Sequence, residues 1–253
     1  MHRFSASDAI DSRTASLLRD ARTSTWEPAG YVRDMYQRRR SQQVTELAWS
    51  IASGSVYAEQ TGLEVASRLL EETDDYATKL ILATAVNDEA KHSYAFQEFA
   101  LLAGGSVKPP SERTQELFDT LFGYENSTER FLAHTLMEGY AADEFIFFTA
   151  AFGAESLGDL YGLIRRDESR HVAMGMHRLC ARDTQGTTQI SLLPPERIDA
   201  VEKSCRELAA PTVIGDLVAR LLPSKNADEV SAWISRRHAT RVTALKASAF
   251  TAA

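Results

Sequence analysis

Apolar residues recur every three to four positions along almost the whole chain, the spacing that buries one face of a helix. Long runs of this kind cover about residues 44–72, 76–102, 127–152 and 159–181. A shorter one covers 111–122, and two more cover 196–222 and 227–250. Residues 1–40 are more polar, with one amphipathic stretch near 9–22 and a break at Pro28. Glycine and proline cluster between the runs, as in "GGSVKPP" from Gly104 and "GAESLG" from Gly153. "TDDY" from Thr73 reads as a turn or a helix N-cap, and Ser127-Thr-Glu-Arg130 resembles a capping segment. Pro211 should kink or split the helix it falls in. No stretch alternates with the period of a strand.

The four long runs form two pairs, 44–102 and 127–181, each joined by a short connection, with a long connection between the pairs. This predicts an all-α protein: a four-helix bundle with one long crossover and extra N- and C-terminal helices. The 253 residues suit a single domain. It would consist of an N-terminal extension (1–40), the bundle (44–181) and C-terminal helices (194–250).

Composition narrows the function classes. A net charge of −7 argues against a nucleic-acid binder with a broad basic surface. No apolar run reaches the ~18 residues of a membrane span, and the N-terminal residues lack the apolar core of a signal peptide. Cys180 and Cys205 form no framework and no Cys-x-x-Cys pair. A cytoplasmic protein that packs both thiols in helices is expected.

The chemistry lies in a repeat. "VNDEAKHSYAF" carries Asp88, Glu89 and His92, and "RRDESRHVAMG" carries Asp167, Glu168 and His171. Both read Asp-Glu-x-x-His. With 20 Glu, 15 Asp and 6 His in the chain, random placement gives ~0.03 such strings. The two motifs lie 79 residues apart, as do Glu59 and Glu138, each 30 residues upstream of its motif. The midpoint of Glu59 and Glu89 is position 74, in "TDDY"; that of Glu138 and Glu168 is Gly153. Positions equidistant from the turn of an antiparallel hairpin lie at one height. Each hairpin therefore sets a carboxylate level with a Glu-x-x-His, and docking the hairpins gathers four carboxylates and two imidazoles in one layer. Buried without cations, such a layer is prohibitively costly. Two divalent metals neutralise it, and mixed oxygen and imidazole ligands favour iron or manganese. A rival register, Glu64 with Asp143, also has the 79-residue spacing, with midpoints displaced by less than a helical turn.

The pattern Glu59…Asp88-Glu89-x-x-His92…Glu138…Asp167-Glu168-x-x-His171 resembles the ferritin-like di-iron carboxylate superfamily over residues 44–181. It is most similar to the oxygen-activating branch: the ribonucleotide reductase small subunit, the di-iron monooxygenases and the N-oxygenases. The resemblance implies that Glu59, Glu89, His92, Glu138, Glu168 and His171 bind two irons, or one manganese and one iron. It implies that Asp88 and Asp167 accept hydrogen bonds from ligand histidines. The function it implies is an O2-activating oxidoreductase, acting on a small organic substrate through a diferric-peroxo or higher-valent species. Electrons would come from a reductase or ferredoxin-type donor, and the assembly would be a homodimer. A ferroxidase or iron-storage protein and a radical-generating reductase subunit are the alternatives.

Two departures matter. Phe96 occupies the position of the radical-forming tyrosine of the reductases, and Tyr94 faces elsewhere on the helix. Ile164 stands where the N-oxygenases carry an extra histidine ligand. His134, one turn before Glu138, reads as an extra ligand, a substrate contact or a hydrogen-bonded bundle histidine. Leu63, Phe96, Ala142, Phe145 and Ile164, neighbours of the ligands, are candidates for an apolar substrate pocket.

Overall fold

The computed structural model describes residues 10–38, 46–153, 155–183 and 185–250. The bundle consists of α3 (Glu46–Glu72), α4 (Tyr76–Gly104), α6 (Ser127–Ala151) and α7 (Ser156–Cys180). Before them come α1 (Ser12–Thr23) and α2 (Pro28–Arg38); α5 (Glu112–Gly123) lies in the crossover. A single 3-10 turn (Ile190–Leu192) precedes α8 (Pro195–Ala209), α9 (Pro211–Leu221) and α10 (Ala227–Phe250). Among the described residues the only β pairing is an isolated bridge between Arg182 and Thr188, and no helix is long and apolar enough to cross a membrane.

Local chemistry sets the boundaries. Asp75 caps α4 by accepting from the Thr78 N–H at 2.8 Å. Gly105, at φ +74, ends that helix in the left-handed conformation that costs glycine least. The cap of α6 is Asn126, not Ser127; Glu129 does not reach back to it but pairs with Arg197 at 2.6 Å. Pro211 splits the penultimate helix. Ala210 turns left-handed at φ 39, and α9 restarts with the proline in its first turn. The N-terminal reading needs correction: Pro28 starts a helix rather than breaking one, because a proline's missing N–H has no partner to lose in a first turn.

The two hairpins dock with their turns at opposite ends. Near the α3–α4 turn, Leu69, Leu82, Leu132 and Leu179 belong to one apolar cluster; near the α6–α7 turn, Phe99, Phe148, Phe152 and Leu157 belong to another. The polar layer lies between them. The crossover carries α5 along the outside of α3 and α6, toward α8.

Candidate metal centre

Midway along the bundle, α3 contributes Glu59, α4 Glu89 and His92, α6 Glu138, and α7 Glu168 and His171, all buried. Ligand atoms of Glu59, Glu89, His92 and Glu168 lie within 4.8 Å of one another. So do those of Glu89, Glu138, Glu168 and His171. Glu89 and Glu168 belong to both groups, and Glu59 with His92 and Glu138 with His171 close the two ends. The alternative pair lies elsewhere: Glu64 is exposed, and Asp143 is held by Arg237 at 2.6 Å and Arg241 at 2.8 Å.

Each imidazole turns Nδ1 inward. His92 Nδ1 is 3.0 Å from Glu168 Oε1 and 3.3 Å from Glu59 Oε2. His171 Nδ1 is 3.1 Å from Glu89 Oε1 and 3.3 Å from Glu138 Oε2. The outward nitrogens cross between hairpins: His92 Nε2 meets Asp167 at 3.1 Å and His171 Nε2 meets Asp88 at 3.3 Å. Each motif's aspartate thus serves the other motif's histidine. The basic residues cross as well. Lys91 Nζ lies 2.8 Å from both Asp88 and Asp167, and Arg170 pairs with both aspartates. Lys91 and Arg170 are both buried.

Burial opposes charge on Asp88, yet the hydrogen bond and charge of His171, with Arg170 and Lys91, hold it at about 2. Asp167 is held lower still, against burial, by His92 and Lys91. Two permanent anions therefore face the Nε2 atoms. They fix the proton there and leave Nδ1 for the interior. Burial pushes Glu59 and Glu138 well above the usual carboxylate range. It acts likewise on Glu168, but Glu138, His171 and His92 beside it hold that group well below. Burial also opposes protonation of His92 and His171, yet their carboxylate partners raise both well above an ordinary imidazole. Protons sit where cations would. Glu89 Oε1, Glu168 Oε1 and His92 Nδ1 are buried without a hydrogen bond, three potential metal-donor atoms in one layer. All six donors are oxygen or imidazole nitrogen, and Cys205 is engaged elsewhere, at the Ala133 carbonyl. The set fits two hard-to-borderline divalent metals.

Close approach is built in. A Cβ at Gly62 would stand 2.9 Å from Glu89 Oε2. Gly62→Val is expected to displace that carboxylate and cost about 1–3 kcal/mol by overpacking. The readout is the midpoint of chemical denaturation.

A cavity of about 450 Å³ opens from Glu59, Glu89, Glu138 and Glu168. His134 and Phe145 line it. His134 Nδ1 is 3.2 Å from Glu138 and outside both four-donor groups; burial depresses its pKa to about 4. Leu63 and Ala142 are absent from the wall, and Phe96 and Ile164 pack in the apolar core. The wall is completed instead by Leu117, Ile214 and Leu217, from α5 and α9. Spacing along a ligand's own helix cannot find those residues.

Two further residues escaped the sequence reading. Trp26, half-buried just before α2, donates Nε1–H to Asp167 at 3.3 Å, and its ring lies 6.4 Å from that of His92. Tyr161, buried 5.1 Å from Phe96, shares a 2.8 Å hydrogen bond with Ser55. A tryptophan before a proline and a tyrosine two turns before Glu168 carry no signal in the sequence.

No protein-family model and no curated protein matches the sequence. Solved structures do. A single-substitution variant of an R2-like ligand-binding oxidase with an anaerobically reconstituted Mn/Fe cofactor superimposes with a TM-score of 0.71, covering 96% of this chain and 98% of its own. The fold is that of the R2-like ligand-binding oxidases. Sequence identity is 15%. Two further structures of R2-like ligand-binding oxidase, one with an aerobically reconstituted Mn/Fe cofactor and one with an aerobically reconstituted metal cofactor after photoconversion, give TM-scores of 0.68 and 0.67. Their identities are 15% and 14%, with 96% of this chain and 98% and 99% of theirs covered. The R2-like fold extends over α1, α2 and the C-terminal helices as well as the bundle.

Proposed function

We propose that this protein is an O2-using oxidoreductase with a dinuclear metal centre, oxidising a small organic molecule held in the cavity. The carrying observation is the pair of overlapping four-donor groups opening onto a mostly apolar cavity. Glu59, Glu89, His92 and Glu168 would hold one metal, and Glu89, Glu138, Glu168 and His171 the other. Two irons, or the manganese and iron named for the structural neighbours, supply the redox chemistry with O2.

The protein's own part is positional. Asp88 and Asp167 hold the Nε2 protons and aim both Nδ1 atoms at the metals. Lys91 and Arg170 balance the aspartates. Apolar side chains exclude water from the oxidising end of the cavity. The required electrons would come from a reductase or ferredoxin-type donor. Trp26 offers a connected path, from a half-buried indole through Asp167 to His92. Tyr161 keeps its phenolic proton: burial raises its pKa, and a serine hydroxyl is a poor proton acceptor.

Iron-loaded protein should hold two metals per chain, about 3–4 Å apart. Mixing the reduced form with O2 should give a transient absorbance whose decay depends on the small molecule added. Electron paramagnetic resonance should show no long-lived tyrosyl signal. Such a signal, with turnover only when a second protein is added, would favour a radical-generating subunit. Mineralisation of many irons per chain would favour storage.

A further inference from the structure

The cavity rises from the carboxylate layer between α3, α5, α6 and the corner where α8 meets α9. Beyond the layer its wall is mostly apolar, with Ile51, Phe148 and Leu217 among the lining side chains. Two charged side chains interrupt it: Arg113, which is exposed, and Glu144 on α6. Glu144 stands six residues beyond Glu138 on the same helix. At 1.5 Å per residue this is about 9 Å along the axis.

Glu144 contrasts with its neighbour. Asp143 takes two arginines, Arg237 and Arg241. Glu144 is half-buried, and among the described residues no side chain hydrogen-bonds or ion-pairs with it. Arg113, whose charge reaches it, donates instead to the Leu208 carbonyl. A half-buried carboxylate with no protein partner in a mostly apolar wall keeps part of its desolvation cost. A ligand cation removes that cost, whereas a fatty or neutral ligand leaves it in place. Burial lifts the Glu144 pKa to about 8, and a cation seated beside the carboxylate lowers it again.

We propose that Glu144 anchors the ammonium group of the substrate, and that the substrate is an apolar amine whose body fills the cavity. The proposal rests on the reading of this cavity as the substrate site. The nitrogen then lies about 9 Å from Glu138 along the helix, which leaves carbon, not nitrogen, at the oxidising end. Glu144 sets specificity by position and charge and takes no part in holding metal.

The test uses the full chain dialysed against Mn(II), with bound metal measured on the same sample. Octylammonium, octanol and octanoate are titrated by calorimetry. Octylammonium should bind about ten- to a hundredfold more tightly than octanol, the range of a hydrogen bond to a charged group. Glu144→Gln, checked for helix content by circular dichroism, should bring it down to the octanol value. Glu144→Asp should keep part of the preference. Equal binding of octylammonium and octanol by the parent chain would overturn the proposal. So would tightest binding of octanoate, which would make Arg113 the anchor. An ammonium preference that survives Glu144→Gln would also overturn it, placing the cation among Glu59, Glu89, Glu138 and Glu168. A sample that binds no manganese counts against the metal reading alone, because the comparison of parent and Glu144→Gln stands at any metal content.

Discussion

Glu168→Ala should retain less than about a tenth of the metal bound by the parent chain, while Glu64→Ala should retain all of it. Glu168 is one of two carboxylates in both four-donor groups. Its Oε1 lies 3.0 Å from His92 Nδ1 and its Oε2 3.4 Å from His171 Nδ1. Alanine there leaves each group three donors and removes a bridge between the two positions. Glu64 is exposed on the outer side of α3. Loss of Glu168 also removes an anion paired with two buried histidines and so lowers stability, which is why metal content is compared at matched helix content. Elemental analysis after loading, with circular dichroism as the folding check, decides the matter. Two metals in Glu168→Ala, or loss of metal in Glu64→Ala, would sink the assignment.

Asp167→Ala should be among the most damaging single changes outside the ligand set. The side chain is buried and meets Lys91 at 2.8 Å, Arg170 at 2.9 Å, His92 at 3.1 Å and Trp26 at 3.3 Å. Its removal leaves two buried cations sharing Asp88 alone. Breaking a buried ion pair by deleting one partner costs about 3–5 kcal/mol. His92 also loses the acceptor that fixes its tautomer, so metal affinity should fall roughly 10–100-fold. Asp143→Ala is the control: it too strips a buried aspartate from two cationic side chains, here Arg237 and Arg241, but outside the carboxylate layer. It should lose stability in urea while keeping the parent's metal affinity. Equal metal affinity in Asp167→Ala and the parent would make Asp167 a structural anion only.

Much of this was written in the spacing of residues. The midpoint at 74 falls between the end of α3 at Glu72 and the start of α4 at Tyr76. The midpoint at 153 falls between Ala151 and Ser156. An antiparallel hairpin turns spacing along the chain into height, so the shared layer could be foreseen. How the hairpins face one another could not. An Asp-Glu-x-x-His string invites pairing of its own aspartate and histidine one turn apart, whereas Asp88 goes to His171 and Asp167 to His92. That crossing depends on docking, which local spacing does not encode. The cavity was only half legible for the same reason: α5 and α9 approach from distant parts of the chain. Trp26 was lost because Pro28, a helix breaker in mid-helix, is a good first residue.

The crossed aspartates also bear on ancestry. Within one hairpin, His92 has Glu59 beside it but not the anion that orients its ring; that anion comes from the other hairpin. Two copies of such a hairpin, paired about a two-fold axis, would supply each other's missing anion without any change of sequence. The 79-residue repeat is what duplication and fusion of a self-pairing hairpin would leave behind. Lys91 in one half and Arg170 in the other would then mark subsequent divergence of the copies.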